Sequence, residues 1–409
     1  MSDVPMPPDV LAQILSWLPV SSLLRFRSVS KSFRALIDSD YVISHHYNNS
    51  VQSNSSVNLI FGGDRSLHYL NLDTSDKYAN VVNKIHNPLY FAIFETVILG
   101  SCNGVVCLCT TEPDNEIAFW NPVVRKFKKT RLSPAKCLEG VGRGVCVKGF
   151  GYDHVRDDFK VVRLVQYVGL FKELVYSKIE VFSLKTEAWR ETGDFNYHVC
   201  NRRYLNVYVN GCLHWLVSEK AEVKDELMIA AFDLTTEAVR FVPKPEFVNE
   251  KAQVNLGILG GCLCMVCNYP KVNVDIWVMK RYGVKDSWSK LISTEDVKII
   301  RELDMLRPIV YSKNGREVLL EKNFERLYWY HLEDKTAKRF KVAGMPRLFV
   351  TEMFTGSLVQ VKLGNASRKV ANKDKNDNEN RKKKDDFLSK GFRLVLIGNN
   401  FKRNHIQRC

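Results

Sequence analysis

No stretch of about 18 consecutive apolar residues occurs in the 409-residue chain, so no membrane-spanning helix is expected. The opening MSDVPMPPDV lacks a basic start followed by an apolar run, so no secretory signal is expected; the cytosol, the nucleus or both are the expected location. Eleven cysteines are present, but without the dense, regular spacing of a disulfide scaffold, and thiols in those compartments stay reduced. One C-x-x-C pair, Cys264 and Cys267, has metal-ligand spacing, yet no second pair sits at a finger-like distance. Buried thiols on strands are the expected reading, and no metal or other cofactor is expected. No HExxH, GxSxG or Walker sequence occurs, and the nine histidines are scattered apart from the adjacent His45 and His46. A catalytic site needs convergent ionisable groups, so none is expected on this chain.

What the chain does have is uneven charge. Residues 362–409 carry 14 Lys and Arg against 5 Asp and Glu, a net of +9 out of the total of +15, which leaves +6 for everything before them. Residues 362–391 are polar and charged with almost no apolar anchor, a composition that predicts a disordered basic tail. The cluster RKKK at 381–384 suits nuclear import or nucleic-acid contact, although a solvated tail is the simpler expectation. Beyond it, residues 392–409 form a separate C-terminal segment in which FRLVLIG is apolar enough for a strand.

The first 48 residues are dense in apolar side chains at helical spacing. Pro7 and Pro8 suit a first helical turn, where a missing N–H costs nothing, and Val10, Leu11, Ile14, Leu15 and Leu18 follow before Pro19 stops the helix. Ser21 or Ser22 is expected to cap a second helix carrying Leu23, Leu24, Phe26 and Val29, and Ser30 a third with Phe33, Leu36 and Ile37. Three helices this short bury little against one another and need a partner surface. That surface is another protein or the rest of this chain.

The stretch MPPDVLAQILSWLPVSSLLRFRSVSKSFRALI closely resembles the F-box. Met6, Pro7, Asp9, Val10, Leu11, Ile14, Leu15, Leu18, Pro19, Leu23, Leu24, Arg25, Val29, Ser30, Lys31, Leu36 and Ile37 occupy the family's positions. Gln13 stands where an acidic residue is common, and Phe33 where Trp is common. The resemblance implies a three-helix F-box over residues 5–48 that binds a Skp-type adaptor and, through it, cullin and ring subunits. It implies adaptor contacts at Pro7, Leu11, Leu15, Leu18, Pro19, Leu24 and Val29, leaving open which of these face the adaptor and which the helical core.

From residue 57 the pattern changes to short β-rich runs separated by turns. Six units resemble one another, each placing a large residue at the same point: Leu70, Trp120, Phe182, Phe232, Trp277 and Tyr330, spaced by 50, 62, 50, 45 and 53 residues. Upstream of most lies a strand launched by a glycine turn, as in NGVVCL, NGCLHWL, GGCLCMV and NGREVLL; Asn-Gly before such a run is a hairpin signal. A multi-strand period near 50 points to propeller blades, six visible, with weak ends that leave room for a seventh. The tryptophans at 120, 189, 215, 277, 288 and 329 are expected to pack blade against blade rather than form a ligand cage. Asn121, Asp153 and Asp233 are expected to shape turns.

FWNPVVRKF, GFGYD, DFKVVRLV, VFSLKTEAWRE and VNGCLHWLV behind an F-box resemble the plant F-box proteins with an F-box-associated, kelch-like interaction domain. The fold class implied is α+β multidomain: the F-box, a β-propeller over residues 57–361, and the basic tail. The function implied is target choice for a Skp–cullin–F-box ubiquitin ligase, with the propeller holding an unidentified target and no chemistry on this chain. The alternative is a propeller binding module outside any ligase, with nucleic-acid contact through the tail. No recognised nucleic-acid module accompanies that tail, so such contact is not expected.

Overall fold

The computed structural model describes residues 6–63, 66–72, 80–89, 96–110, 116–131, 145–169, 174–200, 207–219, 226–246, 252–269, 272–294 and 305–361. The basic tail and the segment after it lie outside the described residues.

Four helices come first: α1 (Pro8–Ser16), α2 (Val20–Phe26), α3 (Lys31–Ile37) and α4 (Asp40–Gln52). Ser30 caps α3 as expected, its hydroxyl accepting from the Phe33 N–H at 3.1 Å. The α2 cap is not a serine: Pro19 holds that place with no side-chain bond, and the helix begins at Val20. The fourth helix is additional to the three expected. Its inward face is Val42, His46 and Ser50, so two of three buried positions are polar and the apolar period is faint. Two polar side chains of α4 reach across the module to α1 and the residues after it. His46 Nε2 meets the Leu18 carbonyl at 3.0 Å, and the Asn49 amide donates to the Ser16 hydroxyl at 3.0 Å.

Six antiparallel sheets follow, each a propeller blade. Blade 2 runs Thr96–Cys102, Val105–Thr110, Glu116–Asn121, Lys126–Arg131 from the inside out. Blades 3, 5 and 6 repeat that plan from Val145, Gln253 and Leu306, and blade 4 splits its first strand into His198–Val199 and Val207–Val209. Blade 1 departs from it. Its innermost strand is Val350–Thr355, paired antiparallel with Val57–Gly63 from the other end of the chain, Val57 opposite Thr355 and Gly62 opposite Val350. Among the described residues no seventh blade forms, because the apolar run that would begin it closes the ring instead; the one further sheet is a two-stranded parallel pair, Asn80–Val81 with Val342–Ala343.

The six repeated large residues all stand on the third strand of their blades. Each enters the apolar cluster shared with the preceding blade: Leu70 between blades 6 and 1, Trp120 between 1 and 2, Phe182 between 2 and 3, Phe232 between 3 and 4, Trp277 between 4 and 5, Tyr330 between 5 and 6. The period near 50 is therefore the period of junction packing. The hairpins before the second strands turn as their residues require: Asn103 and Gly104 have φ of 47° and 72°, Asn210 and Gly211 of 51° and 76°.

Candidate interaction surfaces

The helical module has two apolar faces. Its interior holds Ala12, Leu15, Val20, Leu23, Ile37 and Val42. Outside stand Met6, Val10, Ile14, Trp17, Phe26, Val29, Tyr41 and Val51, eight of the fifteen large hydrophobic residues exposed among those described. Trp17 and Val29 are each 66% exposed, beyond what scattered surface residues account for, and Val10, Ile14 and Trp17 form one stripe along α1 at helical spacing. Of the seven residues assigned to an adaptor by resemblance, Pro7, Pro19 and Val29 are exposed and Leu11, Leu18 and Leu24 are half-buried. Leu15, at 2% exposure, falls on the interior side of the choice the resemblance left open, because α1 turns positions 11, 12 and 15 inward and 10, 14 and 17 outward. Val10, Ile14, Trp17 and Phe26 were not among the seven. Both faces of α1 are apolar, and periodicity alone cannot say which is inside.

Part of the apolar excess docks on the propeller. Leu358 lies within the helical cluster, and Val123 and Val124 from blade 2 pack against it. These valines are set by Asn121, which is fully buried; its Oδ1 accepts from the Val123 and Val124 N–H groups at 3.0 and 3.4 Å. The Tyr47 hydroxyl of α4 meets the Asn103 backbone, and burial pushes its pKa up to about 12. Below α4, the Gly356 N–H donates to the Ser56 carbonyl at 2.8 Å.

Within the propeller, ionisable groups are tied into scaffolding. The Lys160 ammonium, 2% exposed, donates to Asp153 at 2.7 Å, Glu237 at 3.1 Å and the Leu234 carbonyl at 2.5 Å, joining blades 3 and 4. Arg190 adds a second donor to Glu237. Burial opposes ionisation of Asp153, but hydrogen bonds from Lys160, Arg156 and Thr235 outweigh it and hold the carboxyl well below the usual range. Asp153 and Asp233 each accept two backbone N–H groups from the turn that follows, as expected of turn-formers. Trp120, Trp215 and Trp288 are buried at junctions, and Trp189 carries the Arg163 guanidinium 4.4 Å from its ring centroid. Cys264 and Cys267 are both buried but on opposite faces of one strand, Cys264 toward blade 6 and Cys267 toward blade 4, so they do not converge on a shared ion.

The architecture has known counterparts. The F-box domain model matches residues 5–45, and the model for the F-box associated beta propeller domain matches residues 46–361. The chain belongs to this F-box family. It is 33% identical to F-box protein CPR1 of Arabidopsis thaliana across 97% of this chain and 100% of that protein. A second F-box protein of the same plant is 31% identical across 95% of this chain and 99% of its own. An F-box/kelch-repeat protein from that plant is 28% identical across 77% and 85%. F-box domains bind Skp-type adaptors, and F-box proteins of this kind are typically non-catalytic adaptors. In this F-box the helices are seated on blade 2, and the stripe led by Trp17 faces away from the shared interior.

Proposed function

We propose that this F-box protein is the target-choosing subunit of an SCF-type (Skp–cullin–F-box) ubiquitin ligase. The F-box docks the Skp-type adaptor, and the propeller holds the protein to be ubiquitinated. The observation that carries this reading is the second apolar face: Val10, Ile14, Trp17 and Val29 stay exposed although the module's interior is already filled. The chain itself performs no bond-making on this reading. It raises the local concentration of target lysines near an activated ubiquitin held elsewhere in the complex, a proximity effect. The cytosol, the nucleus or both are its place of action.

The test is binding of a purified Skp-type adaptor to the full chain and to Trp17→Asp/Val29→Asp. Wild type should bind and the double variant should lose at least about a hundredfold in affinity, the scale of two central interface anchors. Its folding stability should stay within about 0.5 kcal/mol of wild type, since neither side chain supports the interior. Failure of the wild-type chain to bind overturns the reading.

A further inference from the structure

The F-box interior is not completed by F-box residues. Leu358, 3% exposed, sits among Ala12, Leu15, Val20, Leu23, Ile37 and Val42, and it arrives directly after the strand that closes the propeller. Asn121 fixes it from both sides. The buried Asn121 amide donates to the Ser357 carbonyl at 3.0 Å, the Ser357 hydroxyl at 3.1 Å and the Val359 carbonyl at 2.9 Å, so Leu358 is bracketed by bonds to one side chain. The same residue's carbonyl oxygen shapes the turn that offers Val123 and Val124 to that interior. There is no slack beneath: a Cβ on Gly104 would lie 1.9 Å from the Ser357 hydroxyl, so the strap after the closing strand lies directly on the blade 2 hairpin.

Four short helices bury too little on their own. Here the missing part is a leucine carried by the segment directly after Val350–Thr355, the strand that pairs with Val57–Gly63. We infer that propeller closure gates the F-box: α1–α3 reach their adaptor-binding arrangement only when the strap carrying Leu358 is seated under Asn121. A chain with an open propeller then presents no competent F-box, and the ligase is not loaded with a receptor unable to hold a target. The adaptor half of this inference rests on the ligase reading above; the folding half does not.

The experiment uses the full-length chain as wild type, Leu358→Asp, Asn121→Ala and the control Leu348→Asp, an exposed leucine before the closing strand. Amide hydrogen exchange is followed across residues 8–52 and across blades 3 to 5, together with affinity for a purified Skp-type adaptor. Leu358→Asp should speed exchange in α1–α3 at least tenfold and weaken adaptor binding at least tenfold, while blades 3 to 5 keep their protection. Asn121→Ala should do the same to a lesser degree, and Leu348→Asp should do neither. Unchanged exchange in α1–α3 for both clasp variants overturns the inference, as does faster exchange with wild-type adaptor affinity. If Leu358→Asp also unprotects the blades, Asn121→Ala decides by the same criteria. If wild type does not bind the adaptor yet the helices lose protection as stated, the ligase reading falls and the dependence of the F-box on the strap stands.

Discussion

The propeller fills each of its six junctions with side chains of its own blades, whereas the F-box fills its interior partly with Leu358, Val123 and Val124 from the propeller and leaves its second apolar face outside. Size accounts for the difference. Some 300 residues of repeating sheet bury apolar area many times over, while four helices within 45 residues do not. The lesson is that a small module built to bind one partner can be completed by another part of its own chain. Its exposed face is then free of any duty to hold it together.

The largest test of this contrast lies in the propeller. Lys160→Ala leaves Asp153 and Glu237 buried without their shared cation, and should lower unfolding free energy by about 3–5 kcal/mol in chemical denaturation. A loss under about 1 kcal/mol would mean that the blade 3–4 junction does not depend on this network. Next comes Leu23→Ala inside the F-box, where a fully buried leucine is lost at a cost of about 3 kcal/mol. Exchange protection in α1–α4 should fall while blades 3 to 5 hold theirs; equal losses in both would erase the distinction between a dependent module and a self-sufficient one.

The smallest effect is set by pH. Burial holds His214 neutral, pulling its pKa from 6.5 down to about 4, with its ring nitrogens against the Val207 carbonyl and the Tyr282 hydroxyl. The unfolded chain takes up a proton near pH 6.5 that the folded chain refuses until about 4, so stability falls as pH drops through that window. Lowering pH from 7.5 to 5.5 should remove about 1 kcal/mol through this residue. His46 in the F-box is shifted in the same direction by burial and adds to the slope. The His214→Asn chain should show a shallower loss over the same range, measured by denaturation midpoints.

Much of this was legible in the sequence. The six third-strand residues, the Asn-Gly hairpins and the Ser30 cap are local signals, each produced by neighbours within a few residues. What was not legible is non-local or polar. Ring closure pairs Val57 with Thr355, and no local pattern distinguishes a closing strand from the start of a seventh blade. Helix α4 hides because polar His46 and Ser50 take two of its three inward positions, His46 through a hydrogen bond to the Leu18 carbonyl. The assignment of Leu15 to the interior and Ile14 to the surface needs the neighbouring helices in place. Asn121 reads as a turn residue, which it is; its hold on residues 357 and 359 depends on the closed ring.

Closure by the last strand also sets a clock. At about 5–20 residues per second of synthesis, close to 290 residues separate Gly63 from Val350, so the ribosome needs roughly 15–60 s to deliver the partner of the first strand. Through that interval Val57–Gly63 has an unpaired backbone edge of strongly apolar residues, the kind of template on which chains aggregate. The time this protein spends exposed to chaperones, and to mispairing with its own copies, is fixed by the distance along the chain between its two halves of blade 1.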